Sequence, residues 1–313
     1  MPSLPDLFLK RLQAILNSAE YERVVRSFEC PRPAAFRIQK PGVDPAAVRQ
    51  ELENQGFVLK PVSWYPAAFV LAAGDLRGLQ ETACYQRGDI YIQGLSSMLA
   101  ALILNPKPGE TVLDMAAAPG SKASLLALLM QGEGELHVNE KIRPRYFKLR
   151  SVMHAQGFKN VRLSLKPGEW FGRFTKEKYD RILLDAPCSS EGRFLASVPK
   201  TFQYWSPRKI REMVHKQRNL FGAALAALKP GGTMVYATCT FAPEENEGVL
   251  DWAIDKYAGL MEVLEPDMPV ASITCGLTGW EGQDFAADVS RARRILPAEE
   301  MEPFFMALVR KQG

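Results

Sequence analysis

The 313-residue sequence is poor in the residue patterns that build disulfide frameworks and metal sites. Its five cysteines are odd in number and widely scattered, no pair has Cys-x-x-Cys spacing, and its three histidines are not clustered. We therefore expect neither a disulfide framework nor a bound metal. The cysteines are Cys30, Cys84, Cys188, Cys239 and Cys275.

Long apolar runs are also missing, since no stretch approaches the roughly 20 residues that a membrane helix needs. The first residues lack the basic segment, apolar core and small-residue cleavage site of a secretory signal. These absences predict a cytoplasmic protein without membrane association. The apolar fraction of 47% is that of a globular protein, and the length suits one large domain or a large and a small one.

Positive charge is only slightly in excess, with a net charge of +4, but it is clustered. Basic residues concentrate in three short segments, 141–150, 208–218 and 291–294. A solvated helix face explains any single segment about equally well. The three together favour a polyanionic substrate.

The first quarter of the chain has the pattern of a small α+β module. A helix is expected over 44–55, because Asp44 suits its cap, Pro45 its first position and Gly56 its end. We expect this module to occupy residues 1–75. Its other expected elements are helical structure over 1–29 and strands over 34–39, 57–62 and 68–71.

From residue 88 onward, short apolar runs alternate with helical patterns. This alternation predicts an α/β fold with a doubly wound, mostly parallel sheet, which we assign to residues 76–313. A last apolar run, at 304–309, is expected to pair at an edge of the sheet. The other expected strands are 90–93, 111–114, 135–139, 161–165, 181–185 and 234–238, and the main expected helices are 96–104, 122–130 and 209–228.

Two cysteines directly follow runs that read as buried parallel strands. Cys188 closes the run that begins at residue 179, and Cys239 closes the run that begins at residue 232. In an open α/β sheet the ligand crevice lies at the carboxyl ends of the strands. Two thiols at this edge can meet a bound cofactor and substrate, which indicates covalent chemistry. For Cys30, Cys84 and Cys275 we expect the usual role of a small apolar side chain.

A candidate cofactor loop lies between the strand at 111–114 and the following helix. It contains neither Gly-x-Gly-x-x-Gly nor a Walker sequence, so it does not have the pattern of a phosphate cradle. Small residues around the single Gly120 allow a ligand to approach the backbone. Glu140, at the end of the next strand, suits a ribose diol. The combination favours S-adenosylmethionine over NAD, with an ordinary strand-to-helix turn as the alternative.

Four motifs occur in a characteristic order. They are Tyr-Ile-Gln-Gly-Leu-Ser-Ser-Met (91–98), Leu-Asp-Met-Ala-Ala-Ala-Pro-Gly-Ser-Lys (113–122), Asp-Ala-Pro-Cys-Ser-Ser-Glu-Gly (185–192), and Tyr-Ala-Thr-Cys-Thr (236–240) with Pro-Glu-Glu-Asn-Glu (243–247). In these motifs the chain resembles the RNA 5-methylcytosine methyltransferases of the NOL1/NOP2/Sun type. The resemblance covers residues 88–311 and extends weakly upstream, and it implies a Rossmann-like class I methyltransferase fold.

The resemblance also implies which residues form the site. It places Glu140 on the cofactor ribose with Arg145 close by, and it makes the first 75 residues an RNA-binding type of module. The implied cofactor-binding residues are Ala116, Ala117, Ala118, Pro119, Gly120, Ser121, Lys122, Glu140, Arg145 and Asp185.

Three positions depart from the family pattern. Ser121 replaces a second glycine, and Glu302-Pro303 replaces Asp-Gly. After the third strand the family carries an acid near the adenine, where this chain reads Leu-Lys-Pro-Gly-Glu-Trp (165–170) and offers only Glu169 as a weak substitute.

Methylation of cytosine carbon 5 needs a thiolate that adds to carbon 6 and makes carbon 5 nucleophilic. By the resemblance, Cys239 is this nucleophile and Cys188 assists release of the product, whereas DNA cytosine-5 methyltransferases use the Pro-Cys cysteine. Asp185 is expected to face the cytosine edge in an ionised or a protonated form. Lys122 is expected to bring positive charge to the thiolate or substrate.

The target cytosine must be unstacked, because the thiolate attacks perpendicular to the ring. Tyr204 and Trp205 could stack on a base or belong to the core, and we expect at least one of them to lie in the core. The sequence thus predicts a cytosine-5 methyltransferase that acts on RNA, ribosomal RNA before transfer RNA, with a monomer as the default. The rivals are a methyltransferase for another acceptor, which needs no second thiol, and a silent RNA-binding scaffold, which needs neither thiol nor Glu140.

Overall fold

The computed structural model describes residues 4–313, so residues 1–3 of the expected helical segment lie outside it. Within these residues no helix is long and apolar enough to cross a membrane. The helices are α1 (Asp6–Ile15), α2 (Ser18–Arg26), α3 (Pro45–Glu53), α4 (Leu76–Glu81), α5 (Ala83–Gln86), α6 (Leu95–Leu104), α7 (Ser121–Leu129), α8 (Arg143–Gln156), α9 (Glu169–Phe174), α10 (Pro207–Ala227) and α11 (Glu247–Lys256). The strands are β1 (Ala35–Ile38), β2 (Val58–Pro61), β3 (Ala68–Ala73), β4 (Ile90–Ile92), β5 (Thr111–Asp114), β6 (Glu135–Asn139), β7 (Val161–Ser164), β8 (Tyr179–Asp185), β9 (Leu228–Thr238), β10 (Met261–Leu264), β11 (Ile273–Cys275), β12 (Gly279–Trp280), β13 (Gln283–Asp284), β14 (Arg293–Ile295) and β15 (Phe304–Lys311).

Local capping explains where the first helices begin. Asn17 Oδ1 accepts the Glu20 N–H at 3.0 Å while the Glu20 carboxylate accepts the Asn17 N–H at 3.1 Å, which starts α2 and divides the expected helical segment in two. Asp44 accepts the Ala46 N–H at 2.9 Å and Pro45 opens α3, as the sequence predicts.

The small sheet has the strand order β2-β3-β1-β4 and is antiparallel. Its last strand, β4, places Ile92 opposite Phe36 of β1. Because Phe36 and Ile90 are buried with the other apolar residues of this sheet, the packing holds β4 there. The small sheet therefore reaches further along the chain than the expected division at residue 75.

The large sheet confirms the predicted doubly wound, mostly parallel α/β architecture. Strands β7-β6-β5-β8-β9 are parallel, and the order reverses at β5, which is flanked by β6 and β8. Helices α6, α7 and α8 pack on one face, and α9, α10 and α11 on the other. The crevice at the carboxyl end of β5 is therefore the expected position of a ligand.

The expectation that the last strand lies at an edge of the sheet is wrong. β15 lies between β9 and β14 and also pairs with β10. Its Met306 packs in the core on one face of the sheet and Phe305 in the core on the other. A strand that is apolar on both faces is typical of a central position, which explains the difference.

Candidate functional site

A cavity of about 740 Å³ lies at the carboxyl ends of β5, β8 and β9. It is lined by both Cys188 and Cys239, by the loop after β5 and by the beginning of α8. The structure thus brings together all of the predicted site residues except one, since Gly120 does not line the cavity.

Gly120 instead shapes the candidate cofactor loop from behind. It precedes α7 with φ +117°, a conformation that side chains rarely adopt, and a Cβ there would lie 3.0 Å from Val152 Cγ1 of α8. Glycine at this position lets the loop pack against α8. The residues on either side, Pro119 and Ser121, face the cavity.

Glu140 and Arg145 connect this loop to α8. The buried Glu140 accepts the Ile142 N–H through Oε1 at 2.8 Å, and its Oε2 lies 3.3 Å from Arg145 Nη1 without a hydrogen bond within the described chain. Arg145 Nη2 donates to the Ala118 carbonyl at 2.8 Å. Glu140 therefore keeps a free acceptor in the cavity.

Asp114 is a site residue that sequence reasoning missed. It ends β5, lines the cavity, and has both carboxylate oxygens buried without a hydrogen-bond partner in residues 4–313. Burial, reinforced by the charge of Asp185, raises the pKa of Asp114 to about 7. The sequence feature that could have identified Asp114 is an acidic residue at the end of a buried strand, directly before the loop.

The cavity fits S-adenosylmethionine. Both carboxylate oxygens of Asp114 and Oε2 of Glu140 lack a hydrogen bond within residues 4–313, so they can accept hydrogen bonds from an ammonium group and from ribose hydroxyls. Ile142 and Leu220 give the cavity an apolar surface suited to a base, and a Cβ on Gly168 would lie 2.4 Å from Leu220 Cδ2. Glu169, the expected substitute for the adenine-site acid, does not line the cavity.

The two cysteines meet at the ends of neighbouring strands. Their sulfur atoms lie 3.5 Å apart, and both thiols are free and half-buried. The hydrogen bond from Cys188 and then the charge of Arg193 lower the pKa of Cys239 to about 6, although burial opposes this. The same hydrogen bond, together with burial, raises the pKa of Cys188 well above its ordinary value. The direction of these two pKa shifts favours Cys239 over Cys188 as the thiolate of the pair.

Lys122 is paired with Asp185 at 2.7 Å between Nζ and Oδ2. The ammonium also lies 5.4 Å from the ring centre of Phe304, and the side chain is buried. Asp185 is thus neutralised by a partner of its own, and it faces the cavity beside the two sulfur atoms.

The segment after Cys239 is held by the Pro-Glu-Glu-Asn-Glu motif. Asn246 Nδ2 donates to the Thr240 carbonyl at 3.0 Å, and Thr238 donates to Asn246 Oδ1 at 2.5 Å. The side chain of Asn246 thus brackets Cys239 and makes no cap hydrogen bond to α11.

Glu245, from the same motif, is a second missed residue. Its Oε2 accepts from the Ser189 N–H at 2.9 Å and from Gln217 Nε2 at 2.8 Å, directly behind the Cys188 loop. Burial raises the pKa of Glu245 to about 8. Because its role comes from packing against α10, sequence reasoning did not select it.

Two groups proposed for polyanion or base contacts are structural. Arg294 is buried in an ion pair with Glu247 at 2.6 Å, which removes it from the surface of segment 291–294. Trp205 donates to Glu191 at 2.7 Å and packs against Phe8, so it belongs to the core. Tyr204 is 80% exposed and is free to meet a ligand.

Comparisons with known proteins agree with this architecture. The family model described as "16S rRNA methyltransferase RsmB/F" matches residues 101–310, and that described as "N-terminal domain of 16S rRNA methyltransferase RsmF" matches residues 4–94. Ribosomal RNA small subunit methyltransferase F of Cronobacter sakazakii is 33% identical over 98% of this chain, and that of Escherichia fergusonii is 34% identical over 98%. The chain spans 63% of the length of each.

Solved structures give the same result. A methyltransferase homolog protein from Pyrococcus horikoshii superposes with a TM-score of 0.85 at 33% identity, covering 98% of this chain and 95% of its own. NSun6 from Pyrococcus horikoshii has a TM-score of 0.83 at 21% identity, covering 100% and 99%, and supports the fold alone. The fold is that of a class I methyltransferase, and the cofactor is S-adenosylmethionine, as the sequence predicts. The chain belongs to the RsmB/F family of methyltransferases, in agreement with the resemblance of its motifs to the NOL1/NOP2/Sun type.

Proposed function

We propose that the protein methylates carbon 5 of a cytosine in ribosomal RNA through a covalent bond between Cys239 and carbon 6 of the base. One observation carries this proposal: the sulfur atoms of Cys188 and Cys239 lie 3.5 Å apart in the same cavity as the cofactor loop and Glu140. A methyltransferase for another acceptor would need no second thiol at this position.

The two cysteines are proposed to act at different steps of the reaction. Cys239 Sγ, with its lowered pKa, adds to carbon 6 and makes carbon 5 nucleophilic. When bound, the cofactor supplies an electrophilic methyl group. A base then takes the carbon-5 proton, the electron pair of that bond restores the ring double bond, and the bond between carbon 6 and Cys239 breaks.

Cys188 is suited to the release step because its protonation depends on Cys239. The hydrogen bond and the charge of Cys239 are among the causes that raise the pKa of Cys188. Once the Cys239 sulfur is bonded to carbon 6, that charge is gone and the pKa of Cys188 falls. Cys188 then loses its own proton to solvent, and the resulting thiolate can accept the carbon-5 proton at the stage that needs a base.

Asp185 and Lys122 are proposed to orient the cytosine. The Asp185 carboxylate faces the cavity and can accept from the exocyclic amine of the base. Lys122, at 2.7 Å, neutralises this carboxylate and so reduces its repulsion of the thiolate. The pair thus combines base recognition with protection of the nucleophile.

The RNA backbone is proposed to approach along α8. Every basic residue of segment 141–150 is exposed, and three of them line the cavity itself. This arrangement supports contact with phosphates near the reacting base. The three are Lys141, Arg145 and Lys148.

The test compares methyl transfer from labelled S-adenosylmethionine to unmodified ribosomal RNA, with transfer RNA as a parallel substrate. We expect label in 5-methylcytosine with the wild type, none with Cys239→Ala, and a denaturant-resistant protein–RNA adduct with Cys188→Ala. Cys30→Ala, which changes an exposed thiol outside the cavity, is the control and keeps wild-type activity.

Three outcomes would contradict the proposal. An adduct in Cys239→Ala would reverse the two cysteines, and label only in transfer RNA would change the substrate. If the wild type transfers no label to either RNA, the protein does not have the proposed activity.

A further inference from the structure

Arg193 lines the same cavity as Cys188 and Cys239 but follows the Asp-Ala-Pro-Cys motif by five residues, and sequence reasoning did not select it. It is the last residue of a 3₁₀ turn, Glu191–Arg193, that comes directly after the Cys188 loop. Its position depends on how this turn is attached to the segment that carries Cys239.

The attachment of the turn is through two residues. Gly192 N–H donates to the carbonyl of Cys239 at 2.9 Å, and a Cβ on Gly192 would lie 2.9 Å from that oxygen. Glu191 Oε2 accepts from Thr240 Oγ1 at 2.8 Å and from the Phe241 N–H at 2.9 Å. The turn is therefore bonded to three consecutive residues beginning at Cys239, so the backbone of Arg193 is fixed next to the main chain of Cys239.

Two of the other cations that line the cavity already have partners. Lys122, expected from the sequence to bring positive charge to the thiolate or substrate, is paired with Asp185 at 2.7 Å. Arg145 lies 3.3 Å from Glu140 and donates to the Ala118 carbonyl. Arg193, which is exposed, makes no ion pair with a carboxylate within residues 4–313, and it lines the cavity together with the two cysteines and Asp185. Its charge is therefore available to the thiolate.

We infer that Arg193 is the counter-ion of the Cys239 thiolate, a role that rests on the proposed function of Cys239 as the nucleophile. The guanidinium holds this sulfur ionised before the base arrives. This assignment deepens the proposed site, because it gives the nucleophile a dedicated cation besides the Asp185–Lys122 pair.

The effects of Arg193 and Cys239 on each other's pKa agree with this geometry. The charge of Cys239 is the largest cause that raises the pKa of Arg193, and the charge of Arg193 lowers the pKa of Cys239. The negative charge of Asp185 has the opposite effect and raises the pKa of Cys239. The ionisable groups that act on the thiol are Cys188 and Asp185 from β8 and its loop and Arg193 from the turn. Lys122 from α7 and Glu302 before β15 line the same cavity.

The experiment measures the rate of iodoacetamide alkylation of Cys239 against pH, without RNA or cofactor, by mass spectrometry of the peptide that contains it. Arg193→Gln is expected to move the midpoint of the profile upward by about one pH unit, and to slow alkylation near pH 6 by roughly 5- to 10-fold. Arg193→Lys, which keeps the charge, is expected to move the midpoint less. Arg208→Ala removes an exposed cation outside the cavity and is the matched control with an unchanged midpoint.

Circular dichroism and thermal unfolding show whether each variant is folded, and the inference is judged on folded variants. A wild-type midpoint in folded Arg193→Gln and Arg193→Lys would overturn it. Failure of the wild type to methylate RNA would overturn the proposed function instead, while a displaced midpoint would still establish Arg193 as the counter-ion of this thiol.

Discussion

Arg37 of the small sheet donates a hydrogen bond from Nη2 to Ser124 Oγ of α7 at 2.9 Å. The same nitrogen donates to the Ser121 carbonyl at 3.1 Å, in the first turn after the cofactor loop. Arg37 is fully buried, and burial lowers its pKa to about 10. A buried cation shared in this way ties β1 to the helix that presents the cofactor loop.

Replacing Arg37 by Met is therefore expected to weaken cofactor binding as well as stability. The change leaves the Ser121 carbonyl and Ser124 hydroxyl without this donor, which costs about 1–3 kcal/mol per buried group. We expect roughly 10-fold weaker binding of S-adenosylhomocysteine, measured by calorimetry below the unfolding temperature. Arg77→Met, at a side chain that is 89% exposed, is the matched control. Wild-type affinity in folded Arg37→Met would show that the small sheet does not support the loop.

The cysteine pair predicts unequal thiol reactivity at pH 7. Cys239, with a pKa of about 6, is mostly thiolate, whereas the raised pKa of Cys188 keeps it protonated. We expect iodoacetamide to modify Cys239 at least about 10-fold faster than Cys188. In Cys239→Ser, which removes the neighbouring thiolate, Cys188 should react faster than it does in the wild type. Equal rates for the two thiols, or an unchanged Cys188 rate in Cys239→Ser, would contradict the pairing.

Much of the site was predictable because it depends on strand ends. Asp185, Cys188 and Cys239 follow buried parallel strands, and parallel strands bring their carboxyl ends to one edge of a sheet. The doubly wound architecture and the cofactor loop follow from the same alternation of apolar runs and helices.

What could not be predicted depends on contacts between distant segments. Glu245 supports the Cys188 loop only because α10 brings Gln217 next to it, and Arg193 is fixed by bonds to the segment after β9. β15 became central because antiparallel neighbours joined it on the side away from β9. Residue spacing along the chain contains no information on these contacts.

The contact between Gly192 and Cys239 predicts that a single methyl group will disturb the nucleophile. In Gly192→Ala the new Cβ would lie 2.9 Å from the Cys239 carbonyl and 2.7 Å from Pro303 Cγ, so Cys239 must shift. We expect methyl transfer to RNA to slow by about 10-fold or more, since small misplacements of reacting atoms are costly.

The matched control for this change is Gly248→Ala in α11, where the nearest atom to the new Cβ lies at 3.4 Å. It should keep the wild-type rate and gain about 0.5–1 kcal/mol in stability from helix propensity. The rates are compared by single-turnover assays alongside thermal unfolding. Equal rates in the two alanine variants would mean that the Gly192 contact does not position Cys239.

Glu245 predicts how stability depends on pH. Its pKa is raised to about 8 in the folded protein from an ordinary value of 4.5. Between these two values the folded state holds a proton that the unfolded state has lost, so the unfolded state binds fewer protons. The contribution of Glu245 to the free energy of unfolding therefore falls as pH rises through this window, by about 1.4 kcal/mol per pH unit.

Replacing Glu245 by Gln removes this titration while an amide oxygen still accepts from the Ser189 N–H and Gln217 Nε2. We expect urea unfolding at a series of pH values to give nearly equal stabilities for the two proteins near pH 4.5. The advantage of Glu245→Gln should then grow toward pH 8, where the wild type must bury a carboxylate with one unpartnered oxygen. Glu133→Gln, at an exposed position, should leave the slope unchanged. Parallel stability curves for the wild type and Glu245→Gln would show that Glu245 is ionised in the folded protein throughout this range.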